Sequence, residues 1–434
     1  MIVLLVVSIC AVTLPFWLPA AVVALRVRLF ARINGTEGIV IPGDLDVSRF
    51  MEVYSHPAAN GRSRGAALSD LFWYWLSPGA EIHQEHLEPG PLYDEVARTT
   101  RRVLTMPSHT ADRLAVESVE AAYAGKAGLV RLRDQLMPVW AEFYHRVVFQ
   151  TPCRPEVRDL IVANAADVAD ALKCRTLRHM DRRLRLTDHL EASLGEVPHV
   201  LPMLLDQRQR ALYLHGTFFT TAVVQSAEAS AHVLMELARH PAIQRHAATD
   251  DKLMEHVIDE TLRMYPLFGI AHRVTSAEIG LDDGTAIPAG SVVCFDYLEY
   301  QRAGGDDPGR FDPHRRTRPN HIPFGVAVNR PCPAWHLAPL TVRAVVREIL
   351  TRYDLRTTAA HTRSIPNRGP AVATPRDGRL RLRRARLLWL AVRDRWEDVG
   401  RSLIQLVLGT YMVWDARRLR LCERHFAEAG PDAA

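Results

Sequence analysis

Cysteine is scarce and scattered: six in 434 residues, at positions 10, 153, 174, 294, 332 and 422, with no CxxC pair among them. So few cannot form a disulfide framework in a chain this long, and their spacing excludes zinc ribbons and thioredoxin-type motifs. Isolated thiols suit a reducing compartment and leave each cysteine free to act as a lone ligand or nucleophile. Lysine is nearly missing too. Lys126, Lys173 and Lys252 are the only ones, and the net charge of +5 rests on arginines spread along the chain. Nucleic-acid binding needs that charge gathered on one patch with stacking aromatics, so no nucleic-acid partner is expected. No GxGxxG follows a strand-like run, no HExxH is present and no internal repeat is visible. Nothing in the chain therefore reads as a flavin, nicotinamide or zinc-protease site. What remains, 48% apolar and 24% charged residues, is the composition of a folded globular protein with two or three domains or one large one.

Residues 2–25 carry no charge, and Arg26, Arg28 and Arg32 follow at once. That length suffices to cross a bilayer. Residues 1–32 are expected to be a membrane anchor with a basic stop, with the N-terminus outside and the rest cytoplasmic by the positive-inside rule. A signal sequence would want a basic segment before the apolar run. A buried core helix, or a kinked or monotopic segment bent at Pro15 and Pro19, are the other readings. On the expected topology, Asn34-Gly35-Thr36 is a glycosylation sequon in form only. Residues 43–89 read as irregular, with an aromatic knot at Phe72-Trp73-Tyr74-Trp75; helical periodicity then dominates 93–264, including 129–149 and 201–239. Strand-like material is confined to 273–296, and a further helix covers 334–353. The fold class is mainly α with a small β part. Residues 381–434 form a C-terminal amphipathic helical extension: Trp389, Val392, Trp396, Val399, Leu403, Leu406 and Val413 make an apolar seam flanked by arginines. It reads as a helix docked on the main domain, as an interfacial helix on a bilayer, or as a partner-binding helix.

Two motifs are decoys. Gly61-Arg62-Ser63-Arg64-Gly65 has the form of a nucleophile elbow but lacks the preceding strand, and reads as a loop. His83 and His86 have no third ligand and read as a solvated loop. The informative stretch begins at Glu260-Thr261-Leu262-Arg263 with Pro266, where glutamate and arginine share one helix face and can pair. Asp307-Pro308-Gly309-Arg310-Phe311 follows, then Phe324-Gly325 and Arg330-Pro331-Cys332 ahead of a helix. That arrangement is expected to place one sulfur under backbone amides and positive charge, which favour a thiolate.

In this order of parts the chain resembles the cytochrome P450 family, over about residues 45–378. The resemblance implies a cytochrome P450-like fold, with residues 33–380 as a haem-thiolate catalytic domain. It implies haem b (iron protoporphyrin IX) with Cys332 as axial iron ligand, and Phe324, Gly325 and Arg330 in the loop around it. It implies a structural lock of Glu260 and Arg263 with Arg310. It offers His109 and Arg113, an HxxxR pair, together with Arg273 as contacts to the haem propionates. Gly216-Thr217-Phe218-Phe219-Thr220-Thr221 matches the oxygen-activating helix, with Thr220 and Thr221 as catalytic candidates that help route protons to dioxygen. The sequence departs from the family pattern where Phe219 replaces the usual acid and where the loop from Phe324 to Cys332 is one residue longer.

The implied activity is hydroxylation or epoxidation of a lipophilic small molecule with O2. The electrons come from a separate ferredoxin or flavoprotein donor, docking where Arg315, Arg316, Arg318 and Arg330 could form a basic face. Two other readings stand beside it. One is a peroxide-using or rearranging haem-thiolate enzyme, the other a non-catalytic scaffold or activator of a partner enzyme.

Overall fold

The computed structural model describes residues 2–34, 47–61, 67–305 and 307–428. The sequon after Asn34 and the loop around Ser63 lie outside the described residues. Helices α1 (Ile2–Asn34), α2 (Phe50–Tyr54) and α3 (Ala67–Leu76) lead into α4 (Pro91–Leu104) and α5 (Ser108–Ala122). Strand β1 (Gly128–Arg131) precedes α6 (Leu132–Phe149), α7 (Pro155–Leu172) and α8 (Met180–Ala192). The central helix is built from α9 (Gln207–Leu214), a π-helical segment (His215–Ala222) and α10 (Val223–Arg239). After α11 (Pro241–Ala247) and α12 (Asp251–Met264) come β2 (Ile270–Val274), β3 (Ile279–Gly280), β4 (Ala286–Ile287), β5 (Val292–Asp296) and α13 (Tyr297–Arg302). The C-terminal third adds α14 (Leu337–Arg352), β6 (Tyr353–Arg356), β7 (Pro370–Pro375), α15 (Arg383–Leu419) and α16 (Leu421–Glu428). The protein is mostly helical with a small sheet part, as the sequence indicates.

Local chemistry sets the helix starts. Proline occupies the first turn of α4, α7 and α11, where its missing N–H costs nothing. Asp206 and Gln209 close a capping box at α9, and Asp250 caps α12 through the Leu253 amide. The main core forms where α6, the central helix and α14 meet: Trp140, Phe143, Phe218, Leu234, Val346 and Ile349 are fully buried there. Truncating Trp140 to alanine in such surroundings costs about 3–5 kcal/mol.

Among the described residues, three small antiparallel sheets flank the helices, ordered β1-β7-β6, β2-β5 and β3-β4. Only the middle region was expected from sequence. The four residues of β1 were read as the start of the helix that follows, because a strand so short gives periodicity too little length to show itself. In β2 the register pairs Arg273 with Val293 and buries its side chain.

Helix α15 docks on the body through apolar groups such as Leu390, Met412 and Val413 and through a set of polar contacts. Asp394 accepts from the Ala360 amide and from Asn367 Nδ2. Glu397 pairs with Arg131 at 3.1 Å, and Gln405 donates to the Lys173 carbonyl. Helix α1 lies beside α15 and in parallel with it. The Arg395 guanidinium sits 4.7 Å from the Phe16 ring centre, and Phe30 closes on Gly409.

Candidate active site

The cysteine loop is held from both ends. Its Cys332 amide donates to the Phe324 carbonyl at 2.9 Å, and Val326 and Asn329 bridge across the bend. Asn329 Nδ2 anchors the bend to the Tyr54 and Ala59 carbonyls. Gly325 has φ +73°, and a Cβ there would lie 3.2 Å from the Tyr54 hydroxyl, so glycine is required for the turn and for the approach. Burial pushes the Cys332 thiol up to about 11; the Ala334 amide opposes this, and the Glu85 charge adds to it. This corrects the expectation of a cationic surrounding. Arg330 turns its guanidinium away, to Asn60 and the Gln84 carbonyl, and lies over the Tyr93 ring at 4.4 Å. Left to itself the sulfur stays protonated. A bound metal ion would deprotonate it outright.

Beneath the loop, Glu260 is fully buried and collects five donor nitrogens from four residues. Arg263 reaches it with Nε at 2.9 Å and a second nitrogen at 2.8 Å; Arg315 and Arg318 each donate an Nε at 3.2 Å. The Asp312 amide completes the set at 3.2 Å. The third member of the lock is therefore not the side chain of Arg310, which is exposed and lends only its carbonyl, to Arg263 and Arg315. Two arginines assigned to a basic docking face, Arg315 and Arg318, are engaged by Glu260, and a third, Arg330, is buried.

On the central helix, Thr220 is buried and its hydroxyl accepts from Asn164 Nδ2 of α7 at 2.9 Å. With an acceptor site of the oxygen occupied in this way, the Thr220 hydroxyl proton is left to be donated elsewhere. Phe219 packs on Phe149 with ring centres 6.2 Å apart, away from the cavity. The π-helical segment widens the helix here, as such segments often do at functional sites. Gly216 permits it to lie against Gly79, whose carbonyl would be 3.3 Å from an added Cβ. The Thr217 hydroxyl, one turn earlier, is buried without a hydrogen-bond partner among the described residues.

These elements enclose one cavity, about 2020 Å³ including its open mouth. Cys332, Phe324, Gly325, Arg330, Arg273, Thr220 and Thr221 all line it. His109 and Arg113 do not. Helix α5 turns Ala111, Ala115 and Val119 inward, which leaves His109 exposed and Arg113 paired with Glu117 at 2.8 Å on the surface. Spacing of i, i+4 defines a shared face but not which face is buried. His83 and His86, read as solvated, line the cavity instead. Asn164 and Arg318 carry no motif signal, and Arg315 shares the Asp-Pro-x-Arg pattern of Arg310; only their long-range partners reveal them.

A haem fits this donor set. One thiol is presented on a loop bonded at both ends, and the surrounding walls are largely apolar. Arg273 is buried, lines the cavity and keeps an Nε–H without a hydrogen-bond partner among the described residues, a donor suited to a carboxylate.

Residues 207–380 match the cytochrome P450 family. Among curated proteins, the chain is 33% identical over 121 residues to cyclomarin C epoxidase CymV of Salinispora arenicola, covering 27% of this chain and 28% of that one. It is 30% identical over 167 residues to cyclooctat-9-en-7-ol 5-monooxygenase of Streptomyces melanosporofaciens, covering 32% and 36%. The chain thus spans about a third of the length of the curated relatives it matches. Among solved structures, a six-coordinated cytochrome P450 from Thermus thermophilus superposes with a TM-score of 0.59 at 19% identity, over 74% of this chain and 90% of that one. A zebrafish cytochrome P450 does so with a TM-score of 0.61 at 18% identity, over 76% and 92%. The order of the elements, the loop that carries one cysteine into the cavity and these likenesses agree: the chain has a cytochrome P450-like fold, and its residues 207–380 match that family.

Proposed function

We propose that the protein is a haem-thiolate monooxygenase that hydroxylates or epoxidises a lipophilic small molecule with O2. The observation that carries this reading is that Cys332 and Thr220, from elements far apart in sequence, line one cavity together with Arg273. Bound haem would supply oxygen activation, with thiolate donation favouring O–O cleavage. Cys332 would hold the iron, and Arg273 would bind a propionate. Thr220, fixed by Asn164, presents its hydroxyl proton toward the cavity, and Thr221 lines the wall beside it. Leu104, Val168, Val224, Ile258 and Leu267 line the same cavity, give the substrate an apolar seat and exclude water. The named activities of the relatives, an epoxidase and a 5-monooxygenase, support this class of reaction. The electron donor is a separate ferredoxin or flavoprotein. It docks over the cysteine loop, where Val328 and Trp335 are exposed, with Arg310 and Arg316 exposed on the segment that precedes the loop.

A second reading rests on the missing acid. Phe219 is buried against Phe149, and the partner of Thr220 is an amide, which cannot donate a proton as a carboxylic acid can. Peroxide arrives already reduced and carrying its protons, so a peroxide-using enzyme would tolerate this site. Turnover of an apolar test substrate by haem-loaded protein separates the two. Activity that requires reductase and donor supports the monooxygenase. Activity with hydrogen peroxide alone, equal to or above the reductase-supported rate, supports the alternative.

A further inference from the structure

Helix α15 is apolar on the side it turns away from the body. Its inward side mixes apolar groups, among them Leu390, Val399, Met412 and Val413, with Asp394, Arg401, Ser402 and Asp415, all buried. Its outward side carries Trp389, Val392, Trp396, Leu403, Val407, Tyr411 and Trp414, spaced three, four or seven residues apart along a single stripe. Trp389 is 58% exposed, Val407 66% and Trp414 51%, values no docked core helix would show. Helix α1 adds Val12, Phe16, Trp17, Val23 and Val27 as further exposed apolar groups.

Helix α1 is long and apolar enough to cross a membrane. The two contacts between Phe16 and Arg395 and between Phe30 and Gly409 lie fourteen residues apart on each helix, so the pair runs side by side. At 1.5 Å per residue that is about 21 Å, most of a hydrocarbon core of about 30 Å. If α1 spanned, the same length of α15 would enter the core with it, carrying Glu397, Asp398 and Arg401. So would the body surface around Lys173 to which α15 is bonded. Buried in hydrocarbon, that polar surface would be prohibitively costly.

We infer that α1 and α15 lie together in the plane of a lipid bilayer and attach the protein to one leaflet. This revises the expectation of a membrane-spanning anchor with its N-terminus outside. Charge favours the same occupant. Helix α15 holds eight arginines against four carboxylates. All four carboxylates are engaged: Asp394 by Asn367, Glu397 by Arg131, Asp398 by Arg401 and Asp415 by Arg418. Arg381, Arg384 and Arg395 are left exposed, within reach of anionic headgroups, alongside Arg28 and Arg32 of α1. Indole rings of this number on one face are the side chains favoured at the membrane–water boundary.

The test is co-flotation of the full chain with vesicles of phosphatidylcholine, with and without phosphatidylglycerol. Binding that rises with the anionic lipid is expected. A Trp396→Glu, Val407→Glu double variant should lower the bound fraction roughly tenfold or more, since two buried apolar groups are lost. A second measurement needs no variant. Tryptophan fluorescence of the bound chain should be quenched more by bromine placed near the headgroups than by bromine at the bilayer centre. Unchanged flotation of the double variant, or stronger quenching from the centre, overturns the inference in favour of α1 spanning alone. Failure to float, with the double variant turning a dimer into a monomer, overturns it in favour of a second copy covering this face. None of these readouts depends on haem or turnover.

Discussion

Asn164 and Thr220 show how one amide can set the direction of a hydroxyl. Because Asn164 Nδ2 fills an acceptor site of the Thr220 oxygen, substituting either should alter proton delivery while leaving iron ligation alone. Thr220→Ala should lower oxygen-dependent turnover by about a hundredfold, the usual contribution of a positioned proton donor. Asn164→Leu should lower it roughly tenfold, as loss of an orienting partner does. In both, steady-state assays should show the loss in kcat, with haem content unchanged. Arg273 and Arg113 offer a paired comparison. Arg273→Ala should weaken haem retention, measured as haem per chain after gel filtration, whereas Arg113→Ala should not, since Arg113 lies on the surface with Glu117. At this scale the sequence was informative where chemistry demands a rare residue in a local frame. Cys332 two after Arg330, and Thr220 after a glycine, are short-range patterns. The partner of Thr220 lies 56 residues away on another helix, and no local pattern can report it.

Among the elements, the loop that follows α13 shows why the arginine of the lock was misassigned. Arg310 and Arg315 both sit near an Asp-Pro step, at Asp307-Pro308 and Asp312-Pro313, so residue types alone do not distinguish them. The fold does: Asp312 donates its amide to Glu260, which draws the next turn, and with it Arg315 and Arg318, onto the carboxylate. Replacing Glu260 by alanine would leave Arg263, Arg315 and Arg318 facing one another without an anion, and should cost about 3–5 kcal/mol of stability. The carboxylate also makes stability depend on pH. Burial alone would raise its pKa, but Arg263, the Asp312 amide and Arg315 together hold it below the ordinary value of 4.5. Its contribution is thus fully present above pH 4.5 and is lost as the pH falls through the lower folded value. Thermal melts should show the wild type losing stability on acidification more steeply than Glu260→Gln, which has no charge to lose. The α5 misassignment has the same origin, for HxxxR defines a face but the packing of Ala111 and Ala115 decides which face is inside.

For the molecule as a whole, the long helices were legible because apolar periodicity persists over many turns, as in the central helix and α6. The sheet of β1, β7 and β6 was not, because its strands are only four to six residues long and β1 finds β7 across about 240 positions. The seam on α15 was legible as a seam, but its direction was not. Trp389, Val392, Trp396 and Leu403 face out, while Val399 and Val413 of the same set are buried. This separates two roles on one helix. Met412→Asp, at a fully buried position, should destabilise the fold by several kcal/mol and lower the melting temperature. A substitution on the outward stripe should leave the melting temperature within about a degree or two, since exposed changes stay within about 0.5 kcal/mol. Helix α3 joins this flank to the site, with Tyr74 packed in the cluster of Met412 and Ala416 and with Phe72 and Leu76 lining the cavity.

The central claim is that Cys332 presents its sulfur to a haem iron within this cavity. The difference spectrum of the reduced, carbon monoxide-treated protein against the reduced protein tests it most directly, because the ligand opposite carbon monoxide sets the Soret position. The account predicts a strongly red-shifted Soret band in haem-loaded wild type that is lost in Cys332→Ala. A folded wild-type protein that takes up no haem, or a red-shifted band that survives the substitution, would contradict it.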